Sequence, residues 1–99
     1  MIEIVWEIHV RPERAREFEF SYDSTGIWAE LFRKSSEYRE TILLRDASQT
    51  GRYLTIDRWN SEQAFDDFKL EFASEYASID ARCEALTESE RLVGIFQRV

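Results

Sequence analysis

The chain has 99 residues and a formal net charge of −7, with 20 acidic against 13 basic residues. That balance excludes a surface built to neutralise phosphates, and so a nucleic-acid partner, and it argues against an anionic membrane surface. A hydrophobic fraction of 43% and an aromatic fraction of 14% are ample for a packed core, and the length fits one domain over residues 1–99 rather than two.

The first strong signal is at the N-terminus. Ile2, Ile4, Trp6, Ile8 and Val10 alternate with Glu3, Val5, Glu7, His9 and Arg11, the period of a half-buried strand. This alternation is not a signal peptide, and no apolar run approaches the ~18 residues of a membrane span, so a cytoplasmic protein is expected. Pro12 ends the strand and suits the first turn of a helix. Ala15, Phe18 and Tyr22 then recur at helical spacing, Asp23-Ser24-Thr25-Gly26 interrupts them, and Ile27, Trp28, Leu31 and Phe32 resume the pattern. The reading is one broken helix.

Tyr38 to Asp46 reads as a second strand, and Ala47 to Gly51 as a loop of hairpin length. A third strand follows from Arg52 to Trp59, with Tyr53, Thr55 and Trp59 on one side and Leu54 and Ile56 on the other. Asn60 is placed to cap the next helix, with Gln63 reaching back to it. Phe65, Phe68, Phe72, Tyr76, Ile79, Cys83 and Leu86 hold one helical face for about six turns. Cys83 lies on that stripe, where a buried structural thiol is expected, and as the only cysteine it can form no intrachain disulfide. Thr87 to Glu90 reads as a polar connector. Leu92 to Val99 reads as a last strand, with Val93, Ile95 and Val99 on one side and Leu92 and Phe96 on the other.

The order is β-α-β-β-α-β, an α+β chain of the ferredoxin-like type: a four-stranded antiparallel sheet with helices on one face. Val5, the neighbourhood of Leu43 and part of the last strand leave apolar surface on the other face. A second copy packed sheet to sheet would cover it, so the expected partner is the chain itself, as a homodimer.

The element order, the interrupted first helix and the segment Tyr53-Leu54-Thr55-Ile56-Asp57-Arg58-Trp59, followed by Ser61, Glu62, Ala64 and Phe65, make the chain resemble the antibiotic biosynthesis monooxygenase family of dimeric α+β barrels. The resemblance implies a homodimer with a pocket in each subunit between sheet and helices. Some members of that family oxygenate polyphenols without metal or flavin, and others degrade haem. Haem-degrading members carry a histidine on the second helix, about nine or ten residues after the tryptophan. Those positions here are Phe68 and Lys69, neither a usual haem ligand.

No metal-ligand spacing, phosphate loop or nucleophile elbow is present, so no cofactor is expected. What remains is an aromatic lining: Trp6, Trp28, Phe32, Tyr53, Trp59, Phe68 and Phe72 are the candidate ligand-binding residues, for an aromatic small molecule. Cofactor-free oxygenation needs a base and an oxyanion donor. His9 and Tyr76 are the candidate catalytic residues, His9 as the base, the role histidine fills most often. Tyr53 and the Trp59 indole are further donors, and Asp57 and Arg58 are candidate partners or else a cross-strand ion pair. Two functions stay open: a cofactor-independent monooxygenase of an aromatic or polyphenolic molecule, and a non-catalytic homodimeric binding or scaffold module.

Overall fold

A computed structural model describes residues 1–99. Strands β1 (Ile2–Val10), β2 (Tyr38–Arg45), β3 (Arg52–Trp59) and β4 (Thr87–Gln97) form one sheet in the order β2-β3-β1-β4, with every pairing antiparallel. Helices α1 (Ala15–Tyr22), α2 (Ile27–Phe32), α3 (Glu62–Glu71) and α4 (Ala73–Cys83) cover one face. This is the expected ferredoxin-like α+β fold.

The alternation in β1 decides which way the sheet faces. Ile2, Ile4, Ile8 and Val10 are buried beneath the helices, and residues paired across the sheet share their side. Tyr53, Thr55, Asp57 and Trp59 of β3 therefore join them, as do Thr41 and Leu43 of β2. Phe18, Tyr22, Trp28, Leu31, Phe32, Phe65, Phe68 and Ile79 close the core from above. Trp59 is fully buried, with ring centroids of Phe32, Phe65 and Phe68 at 5.5, 5.2 and 5.2 Å.

The break between α1 and α2 depends on two local devices. Asp23 Oδ1 accepts hydrogen bonds from the Thr25 amide and hydroxyl at 2.9 and 3.1 Å, the local side-chain turn that competes with a helix. Gly26 lies so close to the end of α1 that a Cβ there would sit 2.3 Å from the Ser21 carbonyl oxygen. Gly51, at φ +85°, makes the β2–β3 turn.

Four expectations are corrected. Ser61, not Asn60, caps α3: its hydroxyl accepts from the Ala64 amide at 3.1 Å. Asn60 instead bonds Arg39 and Glu37, and Gln63 bonds Asp67. The long second helix is broken at Phe72, whose φ −109°, ψ 33° leave the helical region. No Gly or Pro marks that break; Phe72 is held by its packing on Phe68 at 4.9 Å and by Lys34 over its ring.

β4 begins at Thr87 rather than Leu92, because Thr87, Ser89 and Glu90 pair with Val10, His9 and Ile8. Backbone pairing carries a polar stretch into the sheet whatever its side-chain pattern. Finally, the register of β4 shifts between its partners Val5 and Trp6, where Gly94 and Leu92 are paired and Val93 is passed over. The bulge moves Leu92 to the same side as Ile95, and away from Phe96.

The uncovered face carries an apolar centre: Val5, Ile42, Leu44, Leu54, Ile56 and Phe96. Leu43 itself turns inward and packs against the core. Ion pairs flank this centre. At one end Arg58 reaches Glu40 at 2.6 Å and Glu3 at 3.7 Å. At the other, Glu7 binds Arg52 at 2.6 Å and Arg91 at 2.9 Å, and Arg52 continues to Asp46 at 2.8 Å. No helix is long and apolar enough to cross a membrane.

Candidate functional site

Between the sheet and α2 and α4 lies a cavity of about 190 Å³. A void of ~150 Å³ already admits a benzene ring, so this space suits one or two fused rings. Each strand contributes through its inward positions: Trp6 and Ile8 from β1, Thr41 from β2, Thr55 and Asp57 from β3, and Glu90 from β4. The helices add Tyr22, Trp28, Phe32, Tyr76 and Asp80. The broken first helix makes this wall. Tyr22 ends α1 and Trp28 opens α2, with their rings 6.2 Å apart, and Trp28 meets Tyr76 edge to face at 4.9 Å.

Asp57 is the polar centre of the cavity. Its Oδ1 accepts the Thr41 hydroxyl at 2.6 Å. A hydroxyl has one hydrogen to give, so the contact of 2.7 Å between Thr41 and the Tyr38 hydroxyl is one in which Tyr38 donates. The chain Tyr38–Thr41–Asp57 thus runs from the half-buried edge of β2 into the cavity wall. Burial pushes the Asp57 carboxyl up to about 6, against the opposing pull of the Thr41 hydrogen bond. Desolvation disfavours the charged form, and no cation is close enough to offset it. Burial, with the Asp80, Asp57 and Glu90 carboxyls nearby, pushes the Tyr76 phenol up to about 12, so it stays a hydrogen-bond donor at neutral pH. Burial and Asp80 also raise Glu90.

Of the candidate ligand-binding residues, Trp6, Trp28 and Phe32 line the cavity, and so does Tyr76. Four others lie elsewhere. Trp59 and Phe68 are packed into the aromatic core. Phe72 sits at the helix break beside Lys34. Tyr53 is buried under α1, with Phe18 at 4.9 Å and its hydroxyl on Glu19. His9 lies on the opposite side of the sheet, 3.9 Å from Glu7, because it alternates with Ile8 and Ile8 is the residue that faces the cavity. Asp57 and Arg58 are likewise separated by alternation. Arg58 joins Glu3 and Glu40 on the uncovered face, so the two form no ion pair.

Asp57 was expected only as a partner of the donors or in an ion pair, though its parity with Thr55 and Trp59 places it inward; the other two cavity carboxyls had no clear trace in the sequence. Asp80 falls one residue off the apolar stripe of the second helix, and Glu90 sits in a stretch that reads as a connector. No three His, Cys, Asp or Glu residues converge closely enough to hold a metal ion. The residues also do not fit haem. Phe68 is buried in the core, and Lys69 lies outside over the Phe65 ring at 4.6 Å.

A model of the antibiotic biosynthesis monooxygenase family matches residues 1–70. No curated protein matches the chain closely enough to count as a relative. Solved structures are similar over nearly the whole chain. SnoaB, a cofactor-independent oxygenase from Streptomyces nogalater, is 20% identical over 98% of this chain and 91% of its own, with a TM-score of 0.66. A variant of MhuD with two manganese protoporphyrin IX molecules bound per active site is 21% identical over 100% and 95%, with a TM-score of 0.69. A conserved protein from Methanosarcina mazei is 13% identical over 99% and 92%, with a TM-score of 0.73. At these identities the likeness concerns the fold.

Proposed function

The chain belongs to the antibiotic biosynthesis monooxygenase family, and we propose that it is a cofactor-independent monooxygenase of a small aromatic hydroxy compound, acting as a homodimer joined sheet to sheet. The observation that carries this reading is Asp57. It is a half-buried carboxylate deep in an aromatic cavity, raised to about 6 by desolvation and tied to a hydroxyl chain. A general base works best when its pKa lies near the working pH.

In this reading the ring lies against Trp6, Trp28 and Phe32, and Asp57 accepts the proton that an anthrone or hydroquinone releases. Tyr76, held protonated, donates to the oxyanion that develops on the substrate. The substrate anion gives one electron to O₂, and the resulting pair combine to a peroxide anion, which is reprotonated. Loss of water then leaves a carbonyl, with one oxygen atom in the product and one in water. Asp57, protonated in the first step, returns its proton to the peroxide, and Thr41 fixes the carboxyl's orientation throughout. The base role goes to Asp57 and not to His9, because only Asp57 borders the cavity.

The dimer reading rests on the apolar centre of the uncovered face. Leu44 and Phe96 there are 46% and 49% exposed, an arrangement that a second copy of the same sheet covers. Oxygen uptake tests the activity: purified protein is mixed in air with an anthrone and with a dihydroxynaphthalene. Catalysed consumption that falls at least ~100-fold in Asp57→Asn supports the reading. No rate above background across both substrates leaves a binding module without turnover.

A further inference from the structure

The cavity differs from the rest of the sheet in how its acids are treated. On the uncovered face four acids each have an arginine: Glu3 and Glu40 with Arg58, Glu7 with Arg52 and Arg91, and Asp46 with Arg52. Asp57, Asp80 and Glu90 have none, and no Lys, Arg or His lines the cavity with them. Asp57 has a single side-chain hydrogen bond, from Thr41, and no cation. Its charge is therefore uncompensated by protein, a costly state for a buried carboxylate. Asp57 is half-buried, Asp80 and Glu90 are exposed where they line the cavity, and the three form no group that could hold a metal ion. The rings of Trp6, Trp28 and Tyr76 line the same cavity, and aromatic rings attract an organic cation.

We propose that this cavity selects an aromatic molecule bearing a positively charged amino group over neutral or anionic rings of the same size. Its ammonium group lies at Asp80 and Glu90, and its ring lies on the tryptophans beside Asp57. The inference names the substrate class of the proposed oxygenase and rests on that reading only for the fate of the bound ring. Selection is an equilibrium property, measured apart from turnover.

Titration calorimetry at neutral pH and low salt tests it with three matched probes: naphthylmethylamine, naphthylmethanol and naphthoate. The amine is expected to bind about ten-fold more tightly than the alcohol, with naphthoate weakest. Combining Asp80→Asn with Glu90→Gln is expected to lower amine affinity about ten-fold, close to that of the alcohol, and an unchanged near-UV circular dichroism spectrum reports an intact fold. Alcohol or naphthoate binding as tightly as the amine overturns the proposal. So does an amine preference that survives the double substitution, or failure of all three probes to bind. Selective amine binding with no oxygen uptake from an amino-substituted hydroquinone keeps this inference and sinks the oxygenase.

Discussion

Asp57 and Arg58 are consecutive in the chain and never meet. The carboxyl of Asp57 accepts from Thr41 at 2.6 Å inside the cavity, while the guanidinium of Arg58 reaches Glu40 at 2.6 Å on the other side of the sheet. Strand alternation alone separates them. Asp57 therefore stands without a cation, and its raised pKa and its proposed chemistry both follow from that.

The pH dependence of stability follows from the same separation. In the folded chain Asp57 keeps its proton up to about 6, against an ordinary 3.8. Between those values the native state binds more protons than the unfolded state. Asp57 thus lowers stability as pH rises through this window, and the loss is complete above 6. Two units correspond to about 3 kcal/mol. Denaturant titrations of wild type and Asp57→Asn should diverge across this window, with the variant the more stable at neutral pH. Equal stability at both ends would show that the carboxyl is not desolvated. In oxygen uptake, the same group is expected to give the wild-type rate an acid limb with an apparent pKa near 6.

Trp59→Ala and Trp6→Ala should separate core from cavity. Trp59 is fully buried among Phe32, Phe65 and Phe68, so its truncation is expected to cost about 3–5 kcal/mol. Trp6 is only partly buried and lines the cavity. Its truncation is expected to weaken ring binding several-fold at a smaller cost in stability. Urea unfolding and calorimetric titration of both variants measure the contrast.

His9→Ala is expected to leave oxygen uptake within about two-fold of wild type, since substitutions away from the machinery change little. Its ring lies beside Glu7 on the uncovered face. A loss comparable to that of Asp57→Asn would return the base role to His9.

Ile56→Arg should break the proposed homodimer. Ile56 lies at the centre of the uncovered face, between Val5 and Ile42 in register, where an unpaired charge buried in an apolar interface is strongly unfavourable. Light scattering is expected to fall from twice 11.8 kDa to 11.8 kDa. A wild-type chain already monomeric at that mass would remove the dimer from the reading.

Ser61→Ala is expected to cost about 1 kcal/mol by chemical denaturation through loss of the α3 cap. Its hydroxyl is the acceptor for the Ala64 amide.

The alternation of β1, the helical spacing from Phe65 to Leu86 and the breaker chemistry at Asp23–Gly26 were enough to specify the element order and the inward face of β1, but not the facing of β4, whose bulge no local pattern marks. Hydrophobic periodicity is a local property and survives in a bare sequence. Those same patterns named Trp6, Trp28, Phe32 and Tyr76, which the cavity brings together. Tyr53, Trp59, Phe68 and Phe72 share the same apolar spacing, and nothing local separates a ring that fills the core from one that borders a void. Only the packing of α2 and α4 over the sheet made that choice. The bulge near Val93 and the strand pairing of Thr87 to Glu90 with β1 carried Glu90 to the cavity, and parity across three strands left Asp57 there without its neighbour Arg58. Charge placement in this protein is thus a consequence of register, which depends on residues far apart in the chain.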